Sequence, residues 1–190
     1  MKVLAVNGSP RKKGNTQVLM EAAADELRKA GAEVEMISIT EFDIRPCTGC
    51  RRCYEKLWDC PIGDDAIKVL KKIAYSDGIL VGSPVYFGGV TAQLKALFDR
   101  SIMPYQVLDF SDKVGGAITV GGSTHGGQEL AALQIASFFM CHDMIIATTK
   151  GEVLGGMATA NDLGEAKKDV QGLESARNLG IRMAKLMKKR

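Results

Sequence analysis

Lys2-Val3-Leu4-Ala5-Val6-Asn7-Gly8-Ser9-Pro10-Arg11-Lys12-Lys13-Gly14-Asn15-Thr16 carries three successive signals. Lys2–Val6 is a short apolar run and reads as a buried strand. Asn7 to Asn15 is dense in Gly, Ser, Pro and Asn, which punctuate loops. From Thr16 the period changes, because Leu19, Ala23, Leu27 and Ala30 recur at helical spacing and Gly31 ends the segment. Working outward, the same strand–loop–helix unit repeats. Glu33–Ile39, Ser76–Gly82, Val114–Val120 and Met144–Thr148 read as further strands. Helices are expected after Asp64 (as cap, with Ile67, Leu70, Ile73 and Ala74 facing inward), over Thr91–Ser101, over Gln128–Met140 and over Asp162–Lys188. Apolar strands alternating with helices predict an α/β fold with a parallel sheet covered on both faces. Right-handed crossovers and five strands favour a doubly wound order of 2-1-3-4-5.

With 190 residues, 46% apolar and 25% charged, the chain is expected to form one domain over 1–190 without disulfide staples. No linker or repeat divides it. Two segments break the alternation: Thr40–Gly63, read as an insertion after the second strand, and the stretch from about Met103 to Lys113. The longest apolar runs, such as Gly78–Gly82, are far short of the roughly 20 residues that span a bilayer. Arg11, Lys12 and Lys13 follow the apolar start, which is the wrong order for a signal peptide. A cytoplasmic protein without membrane attachment is expected. The net charge of +3 divides unevenly: residues 161–190 hold eight Lys/Arg against four Asp/Glu, which leaves −1 for the rest. That excess sits at a helix end, where cations are favoured, and gives no basic stripe for nucleic acid.

Three loops leave the carboxyl ends of strands one, three and four, the place where doubly wound sheets hold ligands. In the first, helix-start amides, the hydroxyls of Ser9 and Thr16, and Arg11 make an anion site. It is neither a Walker A loop nor Gly-x-Gly-x-x-Gly, so a phosphate monoester suits it better than a triphosphate or dinucleotide. The second, Gly82-Ser83-Pro84-Val85-Tyr86-Phe87-Gly88-Gly89, places two aromatics beside that site; core packing is the plain alternative for them. The third, Gly121-Gly122-Ser123-Thr124-His125-Gly126-Gly127, offers amides and one histidine, which equally reads as a loop residue without ligand contact. A phosphate site beside aromatic and amide-rich loops suits flavin mononucleotide (FMN).

Cys47-Thr48-Gly49-Cys50-Arg51-Arg52-Cys53 is C-x2-C-x2-C, and Cys60-Pro61 follows after six residues. Four of the five cysteines thus fall within fourteen positions, unlike the scattered use of Cys as a small core residue. The run resembles the ferredoxin pattern C-x2-C-x2-C-x3-C-P with its last gap lengthened. A [4Fe–4S] cluster on Cys47, Cys50, Cys53 and Cys60 is favoured over a zinc clip and over redox thiols. Cys141, after Phe138-Phe139-Met140, is expected to be a buried structural thiol.

Gly8-Ser9-Pro10-Arg11, Gly14-Asn15-Thr16 and Gly82-Ser83-Pro84-Val85-Tyr86-Phe87 resemble the FMN loops of NAD(P)H-dependent flavin reductases with the flavodoxin-like fold. Adding the cysteine run after strand two, the whole chain resembles the iron–sulfur flavoproteins. The resemblance implies one FMN and one [4Fe–4S] cluster per subunit, with Ser9, Arg11, Asn15 and Thr16 on the phosphate. It places Pro84, Val85, Tyr86 and Phe87 at the flavin edge and Gly121, Gly122 and His125 around the ring. It also implies a homo-oligomer, dimer or tetramer, in which one subunit's cluster approaches another's flavin, and an acceptor such as oxygen, peroxide or a quinone. No sequence pattern supplies a catalytic acid–base residue. Alternatives are an NAD(P)H-dependent FMN or quinone reductase with structural zinc, and a flavin-based redox sensor. Arg45, Arg51, Arg52 and Lys56 outnumber Glu55 and Asp59 around the cysteines. That excess either offsets cluster charge or, through Arg51 and Arg52, docks an acidic one-electron donor such as ferredoxin.

Overall fold

The computed structural model describes residues 1–56, 59–102, 110–149 and 154–189. Strands β1 (Lys2–Asn7), β2 (Glu33–Ser38), β3 (Gly78–Pro84), β4 (Val114–Gly121) and β5 (Ile145–Ala147) form one parallel sheet in the order β2-β1-β3-β4-β5. This is the flavodoxin-like doubly wound order. Ala5 of β1 lies between Met36 of β2 and Leu80 of β3. The inner strands β1, β3 and β4 are mostly apolar because their side chains leave both faces into covered layers, whereas the edge strand β2 carries the exposed Glu33 and Glu35.

Helices α1 (Asn15–Lys29) and α6 (Val170–Met187) cover one face, where Leu19, Met20, Ala23 and Leu27 meet Leu179 and Met183 over Val3 and Ala5. Helices α3 (Ala66–Ala74), α4 (Ala92–Arg100) and α5 (Gln128–Cys141) cover the other, with Leu70, Ile73, Leu94, Leu97, Ile135 and Phe139 over Leu4 and Val6. The short α2 (Arg52–Glu55) lies in the cysteine segment. The first pair of helices packs backbone to backbone, since a Cβ at Gly180 would lie 2.3 Å from the Ala23 carbonyl oxygen. Gly180→Ala is expected to cost about 1–3 kcal/mol by overpacking, with Tm falling about 2–4 °C per kcal/mol. A thermal melt at the parental temperature would show that the contact is not this close.

A sixth strand, β6 (Gly156–Thr159), was not anticipated. It pairs with Ile118–Gly121 of β4, whereas β5 pairs with Val114–Gly116, so the fifth position is one strand broken in two. Gly155 begins the return with φ of 138° against the Ala117 carbonyl, a conformation and an approach that only glycine allows.

The last helix starts at Val170, not Asp162. Gly164, with φ of 80°, precedes a 3₁₀ turn at Glu165–Lys167, and the Asp169 carboxylate caps α6 by accepting the Gly172 N–H at 2.8 Å. Asp65, not Asp64, occupies the cap position of α3. Thr91 is the cap of α4, its hydroxyl accepting the Leu94 N–H at 3.3 Å. Cys141 is exposed, contrary to expectation, because Phe138 and Phe139 occupy the buried arc of α5 and the next two residues turn outward. Of the irregular segment expected from about Met103 to Lys113, residues 103–109 lie outside the described residues. No helix among the described residues is long and apolar enough to cross a membrane.

Candidate cofactor sites

Helix α1 starts without a side-chain cap at Gly14 and without an acidic residue in its first turn. Its first amides have no intrahelical acceptor, and its dipole favours an anion there. Ser9 and Thr16 are buried beside this end, and Arg11 is exposed at its rim. The loop is braced from inside: the Ser9 amide donates to Asn7 Oδ1 (3.0 Å) and the Arg11 amide to Ser9 Oγ (3.2 Å). Accepting that bond leaves the Ser9 hydroxyl proton to donate. Thr91 Oγ1 donates to the Gly8 carbonyl at 2.7 Å, which ties the loop to the start of α4.

A cavity of about 160 Å³ opens here, lined by Ser9, Arg11, Asn15, Thr16, Pro84, Val85, Tyr86 and Gly122, with Val120, Ala160 and Asn161 completing the wall. Three loops distant in sequence are thus brought together. Ala160 and Asn161 belong to a segment that sequence reasoning did not connect to the site. Asn15 carries that segment: its Nδ2 donates to the Asp162 carbonyl (2.8 Å) and its Oδ1 accepts the Ala166 amide (3.2 Å). The Asn15 side chain is therefore engaged with protein on both atoms, which leaves its backbone amide for an anion.

Tyr86 and Gly89 exchange backbone hydrogen bonds (2.9 and 3.0 Å) around Phe87 and Gly88, both with positive φ. This tight hairpin throws the Phe87 ring fully into solvent and leaves Tyr86 half exposed, so neither is core. Gly121 ends β4, buried against the Gln128 amide. His125 lines a separate cavity of about 220 Å³ with Gln128, Thr159 and Asp169, which shares no residue with the loop before α1. Among the described residues, six non-glycines have positive φ, and Lys13, Arg51, Phe87 and His125 fall in the four candidate loops. Such backbone costs energy and concentrates at functional loops.

The four clustered cysteines line one small cavity with Arg51, Ile62 and Arg100. Cys47 and Cys50 are exposed, and Cys53 and Cys60 half-buried. Among the described residues no three His, Cys, Asp or Glu side chains converge on a single-ion position, although the four cysteines line this one cavity. The Arg52 backbone N–H pulls the Cys50 thiol below its ordinary pKa, with Thr48 assisting against desolvation. Burial pushes the Cys53 thiol up, and the neighbouring Cys47, Cys50 and Cys60 add to that. Arg52 pairs with Asp59 at 2.7 Å, so part of the local positive excess is already spent within the segment.

The base of the cysteine segment is zipped shut. Asp65 N donates to the Asp43 carbonyl (2.8 Å), and Arg45 N donates to Asp64 Oδ2 (2.8 Å). Behind it lies a buried ion pair that sequence reasoning missed, Arg100 with Asp64 at 2.6 Å. Arg100 Nη2 also donates to Cys60 Sγ at 3.2 Å. Its buried Nε has no hydrogen-bond partner among the described residues, a donor that an anionic sulfur-rich group in the cavity would satisfy.

The two sites occupy opposite ends of α4. Thr91 at its start is hydrogen-bonded to Gly8 in the loop before α1, and Arg100 at its end touches Cys60. Nine residues make this rod about 14 Å long.

A family profile described as NADPH-dependent FMN reductase matches residues 1–158. An iron–sulfur flavoprotein of Methanocaldococcus jannaschii is 45% identical over 99% of this chain and 98% of its own. One from Methanosarcina thermophila is 38% identical over 77% of this chain and 76% of its own. Among solved structures, RosB with a bound riboflavin-5'-phosphate derivative superposes with a TM-score of 0.79 at 16% identity, covering 100% of this chain and 79% of that one. A flavodoxin from the domain Archaea gives 0.64 at 18% identity over 99% of each chain, which supports the fold. The chain belongs to the NADPH-dependent FMN reductase family and, within it, to the iron–sulfur flavoproteins.

Proposed function

We propose that this oxidoreductase passes electrons from a one-electron donor such as ferredoxin, through a [4Fe–4S] cluster, to FMN and on to a two-electron acceptor (oxygen, peroxide or a quinone). One observation carries the reading: four thiols with the spacing C-x2-C-x2-C-x6-C line a single cavity at one end of α4, and the uncapped phosphate loop lies at the other. When bound, FMN supplies paired-electron storage and the cluster supplies single-electron steps.

The protein's own part is binding and orientation. Ser9, Thr16, Arg11 and the amides of Asn15 and Thr16 hold the phosphate. Pro84, Val85, Tyr86 and Gly122 border the ring, and Cys47, Cys50, Cys53 and Cys60 supply thiolates. Gly121, Phe87 and His125 are not among the residues lining the cavity beside Ser9 and Thr16: Gly121 ends β4, Phe87 stands exposed on the hairpin and His125 lines the separate one. The exposed Phe87 ring suits contact with a second copy in a homo-oligomer, dimer or tetramer. Arg51, outside the Arg52–Asp59 pair, faces an acidic donor.

Anaerobic purification with flavin, iron and acid-labile sulfide assays tests the proposal. About four irons and four sulfides with one FMN per chain are expected; stoichiometric zinc in their place overturns it. Thr16→Ala should weaken FMN retention by about 1.5–3 kcal/mol, one charge-assisted hydrogen bond. Equilibrium dialysis against FMN and flavin adenine dinucleotide checks this, and tighter binding of the dinucleotide would contradict the monoester site.

A further inference from the structure

We propose that Arg100 is a positioning residue that fixes Cys60 for the cluster and, through the N–H it donates to that sulfur, raises the cluster's reduction potential. The inference rests on the reading of Cys60 as a ligand.

Arg100 is 1% exposed, at the last residue of α4. Its guanidinium is held by four acceptors' worth of contacts from both flanks of the cysteine segment. Nη1 donates to the Arg45 carbonyl (2.9 Å) and to Asp64 Oδ2 (2.6 Å); Nη2 donates to Asp64 Oδ1 (2.9 Å) and to Cys60 Sγ (3.2 Å). Asp64 is locked in turn, accepting the amides of Arg45 (2.8 Å) and Ala66 (3.1 Å). Arg45 precedes Cys47 by two residues and Asp64 follows Cys60 by four. One side chain from α4 therefore clasps the entry and exit of the whole cysteine segment.

Stability alone does not call for this arrangement, because a buried ion pair is often replaceable by apolar side chains of similar volume without loss. What an apolar pair cannot do is keep a permanent positive charge, with N–H groups of fixed direction, against a thiolate. Arginine does not release its proton under any condition the protein meets, and its planar fork can bind a carboxylate with one edge while directing another N–H elsewhere. Cys60 is also the cysteine set apart by the lengthened spacing, seven residues beyond Cys53, so the sequence holds it least closely to the other three. Asp64 offsets much of the guanidinium's charge at a distance, which makes the effect local to the sulfur that the N–H touches. Hydrogen bonds to cluster sulfurs favour the more negative, reduced state, and so raise the potential.

The test is a redox titration of the anaerobically purified holoprotein, followed by electron paramagnetic resonance of the reduced cluster, with iron, sulfide and FMN contents measured on the same samples. Arg100→Gln removes the cation. Because it leaves Asp64 buried and unpaired, the double variant Arg100→Gln/Asp64→Asn, with two uncharged amides of similar shape, is measured beside it. Expected is a shift of the reduction equilibrium toward the oxidised form by about tenfold, equivalent to about 59 mV for one electron. Loss of iron with FMN retained supports the positioning half of the proposal. Iron, sulfide and potential all at parental values in either variant overturn it. Cys60→Ser separates the two levels. If Cys60→Ser loses the cluster while the Arg100 variants keep the parental potential, the role of Arg100 alone is wrong. If Cys60→Ser keeps a parental cluster, the reading of Cys60 as a ligand is wrong and Arg100 loses its role with it.

Discussion

Replacing Cys50 with serine is expected to yield a protein that still binds FMN but loses most of its iron and sulfide. The same outcome is expected for Cys47, Cys53 and Cys60. A serine hydroxyl stays protonated where a thiolate would form, and it is a poor partner for iron in a cluster. The four cysteines line one cavity, and under the proposed ligation removing any one leaves an iron site open. The cavity proposed for FMN has no residue in common with the cysteine cavity, and for this reason flavin content should hold. Cys141→Ser supplies the contrast: that residue is exposed at the end of α5 and lines neither cavity. Iron and sulfide assays with the visible spectrum decide the matter, and equal iron loss in Cys141→Ser would break the assignment.

Asp64→Ala is expected to destabilise the protein by about 3–5 kcal/mol, since it leaves the Arg100 guanidinium buried without its counter-charge. At about 2–4 °C per kcal/mol for a chain of this size, Tm should fall by roughly 6–20 °C. The pH dependence has a definite sign. Burial alone would raise the Asp64 carboxyl, but the hydrogen bonds from Arg100, Arg45 and Ala66 outweigh it and hold the pKa below its ordinary 3.8. A carboxylate depressed in the folded state stabilises the protein above its unfolded pKa, and that stability is lost as pH falls through the lower folded value. The parental protein should therefore lose stability below about pH 4, and Asp64→Ala should show a shallower acid limb. Thermal melts at pH 3 to 7 measure both effects; parallel curves for the two proteins would remove Asp64 from the account.

The sheet order was legible because each central strand is an unbroken apolar run and each ligand loop follows directly from one. The loop before α1 was legible as an anion candidate for a related reason: Ser9, Arg11, Gly14 and Thr16 lie within eight positions, so their chemistry is local. What failed to show was long-range. Asp64 looks like a helix cap by its neighbours, and only the fold brings Arg100, 36 residues away, against it. Asn161 lines the cavity beside Ser9 and Thr16, where Asn15 ties the later segment back across a separation of 147 residues to Asp162. Gly156–Thr159 is too short and too mixed to announce a strand; its pairing is dictated by the vacant half of β4. Cys141 follows two buried phenylalanines, and local company misled where helical rotation decided.

The broken fifth strand has a consequence for how copies of this chain can meet. A long, flat margin would be a template for another chain's backbone to continue the sheet. Here that margin is cut into pieces of three and four residues. At the opposite margin β2 sends Glu33 and Glu35 outward, with Glu35 paired to Lys72 at 2.6 Å. Neither border of the sheet is suited to edge-to-edge growth, so self-association is steered to the surfaces of helices and loops. Such contacts can close into a finite assembly, whereas a sheet extended from border to border would run on as a fibre.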